Sequence, residues 1–409
     1  MGADSRTTAL TTRTEAKPMT TTDDLPALSS VRPALGRLNP LMRELQRQGP
    51  ICRVATHTGD EAWLVTRYAE LKQLLMDKRL GRTHTDPANM SRYLDNPLLD
   101  LLVSNQDPEQ ERQAHLMMRN TLTPHFSARR MESLRPRIAK RVGDLIDVIT
   151  DSGPPLDIHA RMSLPLSFLV LCDLLEIPDR DTYLGLLRDA GQVGDPSLGP
   201  GKPPLFAHLT ELAAYKRTHP DEGLISSLCE AGVEDDDVAA LIAMISISYQ
   251  VTPNNISAGI ALFALNPGQR HLLVDDPELM RHAIDEVLRM GKIGESFVPR
   301  YASADIEIGG VTIRAGDLVL CDHYTAGFDE RVFDEPERFD ITRAPNPHLA
   351  FSRGITHCIG APLARVEMTE VFTGLFARLP EIRLAVAADR LHAITSQLGA
   401  GIVELPVTW

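Results

Sequence analysis

The stretch Phe351-Ser-Arg-Gly-Ile-Thr-His-Cys-Ile-Gly360, running on into Ala-Pro-Leu-Ala-Arg-Val-Glu367, most constrains what this chain can fold into. It reads as a glycine-braced loop feeding a helix, with Cys358 just ahead of the first turn. Gly354 and Gly360 allow the backbone to come close to a flat partner. The helix N-terminus and its free amides favour a thiolate over a thiol at Cys358. Taken alone, a single cysteine in such a place is equally consistent with a buried structural thiol.

The rest of the chain supplies the setting. Five cysteines at 52, 172, 229, 321 and 358 are odd in number and widely spaced, without the paired spacing of a zinc site or redox disulfide, so a reducing, cytoplasmic compartment is expected. Forty-two Lys plus Arg against 55 Asp plus Glu give a net charge of −13, which argues against nucleic acid or an anionic membrane as partner. The first 28 residues are Thr-, Asp- and Ala-rich without periodic apolar positions and read as a mobile tail, with no apolar run of signal or anchor length. Ordered structure is expected from near Arg32. Ile51–Ala55 and Ala62–Thr66 flank Thr58-Gly59-Asp60 as a hairpin. A helix follows at 68–77, and long loops at 86–98 and 194–204 interrupt a helical middle. Val238, Leu241, Ile242 and Ile245 predict one long buried helix over 235–265, interrupted by Pro253. Strand-like segments return at 306–313, 318–321 and 381–407. The fold class is therefore mainly α with small β-sheets.

Four further motifs stand in a fixed order around the cysteine loop. His115-Leu-Met-Met-Arg119 puts His and Arg on one helix face, where they can grip a carboxylate. Glu286-Val-Leu-Arg289 is a Glu–Arg pair three apart, Val298-Pro-Arg300 is a strand arginine, and Pro336-Glu-Arg-Phe339 is a further charged turn. Each alone has a plain reading as solvated charge. Together they resemble the cytochrome P450 family from about residue 32 to the C-terminus.

The resemblance implies a single cytochrome P450 domain over 29–409 that binds heme b, with Cys358 as the metal ligand. It assigns His115, Arg119 and Arg300 to the heme propionates, and Phe351, Thr356, His357 and Gly360 to the loop that cradles the cofactor. It also joins Arg338 to Glu286 and Arg289 in a buried network that braces the loop. Two loop positions depart from the family's habit: Ser352 stands where Gly is usual, and Thr356 where His is usual, so that a propionate contact is either lost there or made by Thr356 or neighbouring His357. Ala326-Gly-Phe-Asp329 replaces a common Asn-Arg-Asp run.

The largest departure falls on the central helix. Counting back from Pro267, the family's Ala-Gly-x-acid-alcohol segment lies on Ile247-Ser-Tyr-Gln-Val251, so Gln250 and Val251 replace the acid and alcohol that deliver protons during oxygen activation. A slip of one residue would place Thr252 at the alcohol. Pro253 lacks an N–H and pushes away the carbonyl of Tyr249, four residues back, which is expected to be left as a free acceptor for water or substrate.

The resemblance therefore implies an oxidoreductase of the monooxygenase type, acting on a mid-sized, largely neutral metabolite in natural-product biosynthesis. Electrons are expected from NAD(P)H through a reductase and an acidic ferredoxin docking near Arg112, Arg129 and Arg353. Radical coupling, ring closure or rearrangement is the expected outcome, with ordinary hydroxylation or epoxidation as its rival. A heme sensor or electron carrier and a thiol hydrolase using Cys358 and His357 are the readings from other classes. The pocket is expected to be lined by Ala243, Ile247, Val251, Val298 and Leu398, together with the 80–106 loop. The protein is expected to be a monomer, without membrane attachment.

Overall fold

A computed structural model describes residues 25–30, 35–95, 103, 107–191, 204–292, 297–391, 393–394 and 401–409. Helices dominate, with one five-stranded sheet and three smaller ones among the described residues. The main sheet begins with the expected hairpin, Ile51–Ala55 paired antiparallel with Glu61–Val65. Gly59 turns it at φ 88°, a left-handed conformation open to glycine at little steric cost. Leu318–Cys321 adds parallel to Glu61–Val65, Arg300–Ala302 adds antiparallel to that, and Leu80–Gly81 closes the edge. This order carries Arg300 and the start of the 80–106 loop to one end of the sheet.

Order reaches further toward the N-terminus than expected. Ala27 bridges to Ala55, and Leu28 is fully buried in the main core, so packing begins ahead of Arg32. Burying a leucine against the hairpin offsets the entropy of ordering these few residues.

The helical core centres on Val251–Leu265, crossed by Met280–Met290 and by Ala361–Arg378, the helix that follows the cysteine. Phe263 makes edge contacts with Phe339, Phe372 and Phe376 at centroid distances of 5.2, 5.5 and 4.9 Å. Gly259 permits the crossing, because a Cβ there would lie 2.4 Å from Phe372 Cζ. Among the described residues, no helix is long and apolar enough to cross a membrane.

The predicted long helix is in fact two, Asp235–Ser248 and Val251–Leu265, with Tyr249 and Gln250 between them. Pro253 supplies the cause, since it has no N–H to give the Tyr249 carbonyl. That carbonyl is not left free: the Thr252 amide donates to it at 3.2 Å in a tighter turn. Ser248 hydroxyl back-bonds to the Met244 carbonyl at 2.8 Å, a local alternative that helps the first helix end.

Candidate functional site

The cysteine loop is held by its own backbone. The Ser352 amide donates to Leu349 at 2.7 Å, His357 to Gly354 at 3.1 Å and Cys358 to Phe351 at 2.8 Å, folding 351–358 around a short turn at Gly354–Thr356. Ser352 sits at φ 59° and Gly354 at φ 65°. The left-handed conformation at 352 explains why glycine is usual there; serine carries the cost and recovers part of it through a 2.9 Å hydroxyl contact with Thr356.

Cys358 presents an exposed sulfur at the loop's open face. Surrounding protein pushes its thiol up, while the amides of Gly360 and Ala361 and the charge of Arg119 pull it down. Backbone amides at the start of the following helix, with the Arg119 charge, favour negative charge on the sulfur, as a thiolate ligand requires.

The helix Pro108–Leu122 is tied directly to this loop. His115 Nε2 lies 2.9 Å from the Ile355 carbonyl, and Arg119 Nη1 donates to the His357 carbonyl at 2.6 Å. Burial lowers the pKa of His115, with the nearby charges of Arg82 and Arg119 adding to it and the Ile355 contact and Glu111 opposing. Arg300 stands on its strand opposite Val319. No carboxylate among the described residues forms an ion pair with Arg119 or Arg300, so both guanidiniums keep positive charge to spare. A lone thiolate donor, glycines at the loop and uncompensated cations at its rim fit a heme with two propionates.

Thr356, at the position of the usual loop histidine, is turned toward its own loop. Its hydroxyl is held inside the loop by Ser352 and by the Arg353 carbonyl, both at 2.9 Å. The His357 ring tilts against Phe351 at 6.3 Å, and Phe351 also lies under the Arg365 guanidinium at 5.3 Å. Asp285 fixes this side, accepting from Arg365 at 2.6 Å and pairing with His348 at 3.1 Å. Asp285, His348 and Arg365 were not singled out from the sequence, although Asp285 adjoins Glu286 and Arg365 lies one helical turn and a half beyond Gly360.

The bracing network differs from expectation in its third member. Glu286 and Arg289 are fully buried and doubly bonded at 2.7 and 2.8 Å. The second arginine on Glu286 is Arg343, at 3.2 Å, with Asn346 donating at 2.9 Å. Arg338 is 58% exposed and pairs with Glu335 and Asp340; only its backbone carbonyl meets the network. Desolvation decides between the two, because a guanidinium left in water adds little to a buried pair.

The expected pocket residues separate. Ala243 is completely buried in a helical core cluster. Its helix is apolar all round, so its pattern does not mark which face is open. Ile247 is half-buried, whereas Val251 and Val298 are 51% and 43% exposed. Gln250 and Thr252 are half-buried at the helix break beside Tyr249. Leu398, like 96–102, 104–106 and 192–203, lies outside the described residues.

Comparison with known proteins bears directly on this arrangement. The family model for cytochrome P450 matches residues 272–379, which span the bracing network and the cysteine loop. The chain is 37% identical to pentalenolactone synthase of Streptomyces exfoliatus over 95% of this chain and 100% of that protein. It is 34% identical to mycinamicin IV hydroxylase/epoxidase of Micromonospora griseorubida over 90% of this chain and 94% of the relative. Among solved structures, the substrate-free cytochrome P450 PimD, a polyene macrolide antibiotic pimaricin epoxidase, matches with a TM-score of 0.85 at 43% identity, covering 94% and 100% of the two chains.

Proposed function

This chain belongs to the cytochrome P450 family, and on that premise we propose that it oxidises a mid-sized, largely neutral natural product without a protein acid–alcohol pair on its central helix. The observation that carries the reading is the helix break at Tyr249–Gln250, which puts an exposed Val251 at the first position of the second helix.

Heme b, held by Cys358, supplies the one-electron oxidising chemistry when bound. Cys358 is kept as a ligand by the amides of Gly360 and Ala361, while His115, Arg119 and Arg300 are the groups to hold the propionates. Phe351, braced by Arg365 and His357, covers one flank of the loop. Val251 has no proton to give or take. Gln250 donates and accepts hydrogen bonds but has no group that ionises at neutral pH to act as an acid. Thr252 carries the nearest hydroxyl in sequence, and the Tyr249 carbonyl already accepts from the Thr252 amide, leaving it one further lone pair for water or substrate.

An oxidation that inserts no oxygen, such as radical coupling, ring closure or rearrangement, makes the least demand on such a segment. Apolar side chains at Ile247, Val251 and Val298 suit a neutral substrate. A second reading, ordinary hydroxylation or epoxidation with protons supplied by substrate or water, is favoured by the activities of the mycinamicin and pimaricin enzymes. Electrons are proposed to come from NAD(P)H through a ferredoxin. Arg129 and Arg353 are exposed and available for it, whereas Arg112 is paired with Glu109.

The test is reconstitution with a ferredoxin and its reductase against a panel of macrolide and terpenoid natural products under labelled dioxygen. A spin-state shift followed by a product lacking the label supports the first reading, and a labelled hydroxyl or epoxide supports the second. A reduced carbon monoxide complex without the red-shifted Soret band of thiolate ligation would overturn both.

A further inference from the structure

Arg82 was not among the residues expected to meet the cofactor, yet the fold delivers it to the rim of the site. The edge strand pairs Leu80 with Ala302 and Gly81 with Tyr301, so the next step along the ladder brings Arg82 level with Arg300. Its side chain is 26% exposed, and its nearest carboxylate, Glu111, is 3.7 Å away, a loose contact beside the 2.6–2.9 Å pairs elsewhere in the protein. Glu111 is itself held close to this edge, its Oε2 lying 3.5 Å from where a Cβ on Gly81 would stand.

A guanidinium largely but not wholly shielded from water, in the field of another and only loosely paired, is favoured by a further anion. Burial and the charge of Arg300 both lower the pKa of Arg82, while Glu111 raises it. The charges of Arg82 and Arg119 both act on His115, as expected of cations grouped on one side of it. Three arginines against Glu111 leave an excess of two positive charges, the charge that two propionates neutralise. The rim also has a place to fill, because the hydroxyl of Thr356 turns into the loop where the family's histidine usually serves a propionate.

We propose that Arg82 is a propionate-binding residue of this enzyme and replaces the loop histidine that this chain lacks at Thr356. The inference rests on the family reading, and its failure is separable from failure of that reading. A substrate carboxylate is the competing anion for Arg82, but Val251 and Val298, the exposed side chains expected to line the pocket, are apolar.

The experiment compares heme release from the holoenzyme to excess apomyoglobin for wild type, Arg82→Gln, Arg82→Lys and Arg300→Gln, with the reduction potential as a second readout. Loss of a charge-assisted contact is expected to speed release from Arg82→Gln by about tenfold or more, comparably to Arg300→Gln, with Arg82→Lys in between. The potential should fall in Arg82→Gln as positive charge leaves the rim. Adding Thr356→His to Arg82→Gln is expected to slow release back toward wild type, a rescue that general loss of stability would not produce. Release from Arg82→Gln at the wild-type rate with an unchanged potential would overturn the assignment, as would a variant altered only in substrate affinity. A preparation that binds no heme at all would instead overturn the family reading.

Discussion

Arg343 Nε lies 3.2 Å from Glu286 Oε1, joining the turn after Asp340 to a carboxylate that has no exposure to solvent. Glu286 then has Arg289 on both oxygens, Arg343 and the Asp340 amide on one, and Asn346 on the other. Every acceptor site of the carboxylate is used, which is the condition under which a buried ion pair holds.

Removing Arg343 should therefore be severe where removing Arg338 is mild. Arg343→Ala is expected to cost about 3–5 kcal/mol, the penalty of stripping one partner from a buried pair. Arg338→Ala should cost within about 1 kcal/mol, as exposed pairs do. Urea denaturation of both variants, with heme content read alongside, checks the ordering. Equal losses would mean that the turn rather than the charge contact holds Glu286.

The sequence made this network legible only in part. Glu286 and Arg289 are three apart on one helix, a separation that local geometry decides. Which of two arginines five residues apart returns to them depends on a turn in which Asp340 takes the amide of Thr342 at 2.9 Å and its own carbonyl accepts from Arg343 at 3.1 Å. That turn carries no periodic signal. The same contrast recurs elsewhere. The hairpin at Gly59 and the loop at Cys358 are short-range and were readable, including the anomaly at Ser352, which the left-handed backbone now accounts for. Pro253 announced an interruption, but not that Thr252 would take up the Tyr249 carbonyl. Ala243 is fully buried, and its burial was not legible because the largely apolar helix around it gives no face to choose. Arg82 was invisible because its meaning comes from a strand pairing more than two hundred residues distant.

Glu367 gives the stability a pH dependence of its own. It lies on the helix after the cysteine, 3% exposed, and among the described residues accepts only from Ser167, at 2.8 Å. Burial raises its pKa to about 7, with the Ser167 bond opposing. The folded protein thus holds a proton there that the unfolded chain releases near pH 4.5. This group's contribution must fall as pH rises from about 4.5 to about 7 and stay level above, a loss of ~3 kcal/mol. Glu367→Gln keeps the acceptor for Ser167 and removes the charge. The variant should be more stable than wild type at pH 8 and indistinguishable from it at pH 4.5, in urea titrations of the holoenzyme. A wild-type advantage at pH 8 would show that the carboxylate has a cationic partner when ionised.

The helix break at Tyr249–Gln250 makes the most consequential prediction, because it concerns the source of protons. With Val251 exposed at the start of the second helix, Thr252 is half-buried beside it and its amide is committed to the Tyr249 carbonyl. General acid steps contribute about 100- to 10,000-fold, so loss of the true donor cannot pass unnoticed in turnover. If protons come from substrate or from water at the Tyr249 carbonyl, Thr252→Val should keep product formation within about threefold of wild type, since no acid step is removed. Val251→Thr should then leave product formation unimproved or divert it to hydroxylated by-products, as a new hydroxyl enters a site arranged without one. Measuring product, peroxide and NAD(P)H consumption together decides the matter. Product nearly abolished in Thr252→Val, with electrons appearing as peroxide, would place the alcohol at Thr252 and return this enzyme to the ordinary monooxygenase mechanism.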